Sequence, residues 1–199
     1  MSGIGRGKFG VKAEATVRKA DGGIREHADL ASGLSMGGIF TVDCYDADRN
    51  LKWSESAHNI VTTEGLDAVL TEYFKGSGYT AAWYAVPIDV VTAPAAGNTY
   101  ANTMSDANLE FIGYSEGARQ AWTGGAVSAG SVDNSASKAI YSITSSATIY
   151  GAALVDTATK GSAASGVLHS RADFASSRAV INTDTLEITY TLTAADDGV

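Results

Sequence analysis

Residues 184–192, DTLEITYTL, put Leu186, Ile188, Tyr190 and Leu192 on one side of an extended chain and Glu187, Thr189 and Thr191 on the other. Alternation with period two describes a strand with one wet face and one face that a second layer must cover. The same pattern opens after Gly38, where IFTVDCYD places Phe40, Val42 and Cys44 together and Thr41, Asp43 and Tyr45 opposite. A polar turn, DADRN at 46–50, then leads into LKWSES, with Leu51 and Trp53 on a common face, so 38–56 reads as a hairpin. YTAAWYAVPI at 79–88 reads as a buried strand ended by Pro87. KAIYSI at 138–143, ATIYGAALV at 147–155 and VLHSRADF at 167–174 supply three more. Seven or eight short strands joined by Gly- and Ser-rich turns predict a mainly β protein. The architecture expected is an antiparallel β-sandwich or jelly roll over residues 37–199.

One segment breaks the pattern. HNIVTTEGLDAVLTEYFKG, residues 58–76, offers Thr62 or Thr63 as an N-cap, Glu64 in the first turn and Gly76 as a left-handed stop. Leu66, Val69, Leu70, Tyr73 and Phe74 step by three or four, so an amphipathic helix over 63–75 is expected, with Leu66, Leu70 and Phe74 turned onto the sheet. A second anomaly is DVVTAPAAGNTYANTMSDANLEF at 89–111, a stretch of small and polar residues with no period. Loops of that length tend to carry function or meet a partner. Thr99, Tyr100 and Asn102 are therefore candidate subunit contacts.

Charge divides the chain. Arg6, Lys8, Lys12, Arg18 and Lys19 stand against Glu14 alone in the first 20 residues, a local charge of +4 in a chain of net −8. Residues 1–36 are also rich in glycine and lack a sustained period, which predicts an extended basic arm that orders only against another surface. Five scattered cations on an acidic chain are a poor footprint for nucleic acid. No apolar run approaches the ~18 residues of a membrane span, and no secretory signal is visible, so a chain made in the cytoplasm without membrane contact is expected.

Catalytic and metal-binding patterns are not found. His27, His58 and His169 show no ligand spacing, and GIGRGKFG at 3–10 lies outside the strand–helix context of a phosphate loop. Cys44, the single cysteine, reads as a buried thiol with no histidine nearby to activate it. The expectation is a protein without enzymatic activity or cofactor. Within YSEGARQAW, 114–122, Arg119 either pairs inside the chain with Glu116 beside Tyr114 or anchors a neighbouring subunit. Trp53, Trp83 and Trp122 leave open a carbohydrate-binding module, provided that two of them share an exposed face.

The order HNIVTTEGLDAVLTEYFKG, AAWYAVPI, YSEGARQAW, NSASKAIYSITSSATIYGAALVD resembles a family of small virion proteins of tailed bacteriophages, encoded near the major capsid gene. The similarity covers about residues 50–193 and leaves out the arm. Its most specific pieces are Asn59 with the Thr-Glu-Gly-Leu-Asp helix start, the Ala-Trp-Tyr strand and the Tyr-x-Glu-x-x-Arg-Gln segment. Val86-Pro87-Ile88 departs from a Val-Gly-Leu/Ile strand end. The resemblance implies a β-sandwich cement or decoration protein on the outside of an icosahedral shell, contacting the major capsid protein and itself as a dimer or trimer. A tail or head-to-tail connector component is the alternative. Arg6, Lys8, Lys12, Arg18 and Lys19 would then be the capsid-facing residues of the arm.

Overall fold

A computed structural model describes residues 17–18, 24–25, 34–76, 78, 82–105, 109–161 and 165–196. The chain forms two compact units, Met1–Leu34 with Asp196–Val199, and Ser35–Ala195. In the first, β1 (Val17–Arg18) pairs antiparallel with β2 (Ile24–Arg25), strands too short for any sequence period to announce. Of the basic residues assigned to the arm, Arg18 falls in β1, while Arg6, Lys8, Lys12 and Lys19 lie outside the described residues.

The second unit is the expected mainly β body, built from two antiparallel sheets. Its strands are β3 (Leu34–Tyr45), β4 (Leu51–His58), β5 (Ile60–Val61), β6 (Trp83–Ile88), β7 (Ala121–Trp122), β8 (Ser131–Asp133), β9 (Ala139–Ser142), β10 (Ala147–Val155), β11 (Leu168–Val180) and β12 (Thr185–Asp196). The first sheet runs β5-β11-β10-β6-β7; the second runs β4-β3-β12-β8, with β9 also on β12. Phe40, Val42 and Cys44 from β3, with Leu186, Ile188 and Tyr190 from β12, are buried in the core that the two sheets share, as their alternation requires. Burial pushes the Cys44 thiol up to about 12, and the neighbouring Asp184 adds to it.

The first sheet is buried on its other face too. Val86 and Ile88 of β6, Ala153 and Val155 of β10 and Leu168 of β11 pack there against Tyr100, Met104 and Leu109. Those three come from the 89–111 segment, so the stretch expected to be an irregular loop is the cover of this face. It includes a π-helical turn at Ala101–Ser105. Its large apolar residues are spaced too widely to show a period; Tyr100, Met104 and Leu109 reach the sheet, while Val90 and Val91 stay exposed. Pro87 does not end β6: it pairs with Ala152, and its carbonyl accepts from the Phe111 N–H at 3.0 Å. Its missing N–H points to the same side as that carbonyl, away from β10, so no ladder bond to β10 is lost.

The helix departs most from expectation. α1 spans Thr63–Val69 and passes into a π-helical turn at Leu70–Phe74; the chain turns away at Gly76, whose φ of +63° is the left-handed stop foreseen. Leu66, Leu70 and Phe74 do not face the sheet. They are 40, 53 and 67% exposed, and Tyr73 is 80% exposed. The helix start sets its rotation. The Thr62 N–H donates to the His169 carbonyl at 3.0 Å, and the Thr62 hydroxyl donates to the Leu168 carbonyl while accepting from the Gly65 N–H at 3.0 Å. Gly65 then lies so close to β11 that a Cβ would stand 2.4 Å from the His169 carbonyl oxygen. Backbone contact through glycine turns that side inward, and the apolar stripe points out.

Two outcomes follow for stability. Met104→Ala removes a core side chain and should cost about 2–5 kcal/mol in urea unfolding. Gly65→Ala should lower the melting temperature as well, because the backbone it meets has no rotamer with which to yield.

Candidate functional site

The strongest candidate is a pocket of about 310 Å³ where the helical segment meets both sheets. Val69, Glu72 and Tyr73 form its helical wall; Trp83, Trp122, Leu154, His169 and Leu192 form the rest. Trp83 and Trp122 are directly opposed on neighbouring strands, β6 and β7. The Trp122 indole N–H donates to the Tyr190 carbonyl at 2.8 Å, which fixes its ring. His169 meets Trp83 edge to face, 5.3 Å between centroids. That imidazole is buried, its Nδ1 has no hydrogen-bond partner, and burial lowers its pKa to about 4, so it is neutral at pH 7. The wall is therefore mostly carbon with one neutral imidazole and one carboxylate residue.

Outside the pocket the apolar surface continues. Tyr73 belongs both to the rim and to the exposed ridge of Leu66, Leu70 and Phe74. Tyr73 and Phe74 stack edge to face at 4.9 Å.

The residues expected to meet a neighbouring subunit divide. Thr99 and Asn102 lie towards the surface and cap one another: the Thr99 N–H donates to Asn102 Oδ1 at 2.9 Å and the Asn102 N–H to the Thr99 hydroxyl at 3.2 Å. Tyr100 and Arg119 are buried within the chain. Arg119 pairs with Glu110, not with Glu116. Its Nε donates to Glu110 Oε1 at 3.1 Å and its Nη2 to Oε2 at 2.8 Å. Nη2 also reaches the Gly161 carbonyl at 3.0 Å, while Nη1 reaches the Tyr100 hydroxyl at 2.9 Å and the Thr157 carbonyl at 2.8 Å. Glu110 accepts two further bonds, from the Tyr114 hydroxyl at 3.0 Å and the Gly161 N–H at 2.9 Å. All donors of the guanidinium are used. Burial, then the Glu110 charge, pushes the Tyr114 phenol up, so it stays a donor. Glu116 instead accepts from the Ser142 N–H at 3.1 Å.

Among the described residues no three His, Cys, Asp or Glu side chains gather as a metal-ligand group. His58 is exposed on β4, away from His169 in the pocket; His27 lies outside the described residues. Sequence reasoning singled out Trp83 and Trp122 but not their pairing, because the two strands are far apart in sequence and the shorter has only two residues. His169 was read only as a strand position, and nothing in VLHSRADF marks it as part of a wall.

The chain matches no protein-family model, and no curated protein matches it.

Breaking the ion pair from one side, by Arg119→Met, should strand the Glu110 carboxylate and cost about 3–5 kcal/mol, read by urea unfolding. The double variant with Glu110→Leu should recover much of that loss. A separate pH dependence belongs to His169. Its folded pKa lies below the ordinary 6.5, so its share of stability is complete above about pH 6.5 and is lost as pH falls towards about 4. The difference in unfolding free energy between the parent and His169→Gln should change by roughly 3 kcal/mol across that window.

Proposed function

We propose that this chain is a non-enzymatic structural protein of a tailed-phage virion, a cement or decoration protein on the outer surface of the capsid. Its partners in this reading are the major capsid protein and further copies of itself. The observation that carries the reading is the exposed apolar ridge at Leu66, Leu70, Tyr73 and Phe74, four large side chains gathered on one short helical segment. Apolar ground of this kind marks surfaces that other proteins cover.

The residues behind the resemblance support the reading from inside. The Asn59 side-chain amide donates to the Tyr190 hydroxyl at 2.8 Å, Thr62 and Gly65 seat the helix, and Arg119 holds Glu110. Each serves the framework, which suits a protein whose work is to keep a shape. The carbohydrate reading ranks lower. Trp83 and Trp122 do share a pocket, but both are half-buried, and its lining offers few of the hydrogen-bonding groups that sugar hydroxyls need. No observation favours the tail or connector alternative over the shell.

Mixing the purified chain with undecorated shells should give saturable binding at a fixed ratio, measured by cosedimentation. Binding to isolated tails alone would move the assignment to the connector alternative. Deleting residues 2–30 should leave the melting curve of the body in place but weaken shell binding. Added salt should weaken the parent in the same direction, because Arg6, Lys8, Lys12, Arg18 and Lys19 act through screened charge contacts.

A further inference from the structure

Leu66, Leu70 and Phe74 are spaced by four, and the winding of α1 into the π-helical turn stacks them along one side. The spacing is symmetric about Leu70. If two copies of this segment meet antiparallel across a two-fold axis at Leu70, Leu70 packs on its own counterpart and Leu66 packs on the partner copy's Phe74. Large residues thus meet large residues without any change in the fold. Isologous contacts need this kind of self-complementary patch.

Charge runs the same way. Asp67 lies near the start of the segment and Lys75 follows its end, both exposed. An antiparallel pair brings each Asp67 toward the other copy's Lys75, on both sides of the axis. A parallel pair would set like charges side by side.

Area sets the scale. Aromatic side chains present roughly 150–250 Å² each, so Tyr73 and Phe74, at 80 and 67% exposure, offer about 300 Å² per copy. With Leu66, Leu70 and the flanking charges, two copies together approach the ~1,000 Å² at which specific interfaces begin.

We infer that the chain forms a two-fold dimer through the ridge of α1 and its π-helical turn, with Leu70 on the axis. This deepens the self-association in the function proposed above and moves it from Thr99 and Asn102 to Leu66, Leu70, Tyr73 and Phe74. Contact is modest in area, so the dimer exchanges with monomer at low concentration.

The test uses the full chain. Sedimentation equilibrium should show a concentration-dependent dimer, and Leu70→Glu should weaken it at least tenfold with unchanged far-UV dichroism, since the side chain is exposed. Asp67→Lys should weaken it too, and adding Lys75→Asp should restore it. Under mild oxidation Leu70→Cys should form a disulfide-linked dimer, because a residue on the axis meets itself, whereas Val127→Cys, more exposed but in the connection between β7 and β8, should not. A chain that sediments as a monomer at all concentrations overturns the inference, as does a dimer that survives Leu70→Glu. A dimer lost only on removal of residues 2–30 overturns it in favour of the arm. Shell binding separates the two proposals: a monomer that decorates shells sinks the dimer alone, and a Leu70 dimer that ignores shells sinks the capsid reading alone.

Discussion

The pairing of Arg119 with Glu110 organises one whole face of the sandwich. Around it meet the 89–111 segment through Tyr100, the 114–119 segment through Tyr114, and the 156–161 connection through Thr157, Ala158 and Gly161. None of these pieces is a long strand or helix able to hold itself. Two ions withdrawn from water lose several kcal/mol of hydration each, and here the return comes from bidentate geometry with every guanidinium donor engaged. The net gain in stability over an apolar substitute is small. What the pair supplies is uniqueness: the segments fit together in one arrangement, because any other leaves a buried charge unanswered.

That arrangement is what allows the first sheet to be buried on both sides. Its inner face shares the core with the second sheet, and its outer face lies under Tyr100, Met104 and Leu109. Polar stitches cross the core as well. The Tyr141 hydroxyl donates to the Ala85 carbonyl at 2.6 Å and accepts from the Gln120 N–H at 2.9 Å, tying β9 to the strand opposite. The Tyr190 hydroxyl accepts from Asn59 and Ser170, so β12 is tied to β11 and to the approach to the helix. At one corner the Trp53 indole N–H donates to the Ala179 carbonyl at 3.0 Å, and Glu55 of β4 pairs with Arg178 of β11. The second sheet has its outer face open to water, and there Lys138 bridges Asp43 and Glu187 at 3.1 and 3.0 Å. One sheet reads as continuous apolar strands and the other as alternating ones for this reason.

Strands were legible where burial imposes a period. DTLEITYTL and FTVDCYD each have one face to hide, and ATIYGAALV, apolar throughout most of its length, has two. The helix existed where its caps placed it, but its rotation was not in the apolar stripe. A stripe says which residues prefer to be covered; it does not say that the sheet will be what covers them. Gly65 and Thr62 decided the matter, by backbone bonds and close approach to β11, a strand more than 100 residues later. The partner of Arg119 was hidden for another reason, although it lies only nine residues away. Glu116 was the near carboxylate in sequence, but Glu110 is brought in by its bridge to Ile88 at the end of β6. The pocket was illegible because its wall comes from six separate elements, the helical segment and five strands.

The rotation of the helix also separates two kinds of constraint that a single amphipathic pattern had merged. Thr62, Gly65 and Glu64 belong to the fold: the Glu64 carboxylate accepts from the Tyr100 N–H at 2.7 Å and the Leu168 N–H at 2.8 Å, so the first turn is an anchor for both the covering segment and β11. Leu66, Leu70, Tyr73 and Phe74 are under no such demand from the interior. Between 40 and 80% of the surface of each stays in water after folding. Hydrophobic free energy scales with area removed from water, so what these residues hold is unspent until another surface arrives. A seven-residue helix anchored at its start by β11 and the covering segment, with its apolar side turned outward, keeps that area in a fixed geometry. The ordering entropy is met by folding itself, and an approaching surface finds a ridge already formed.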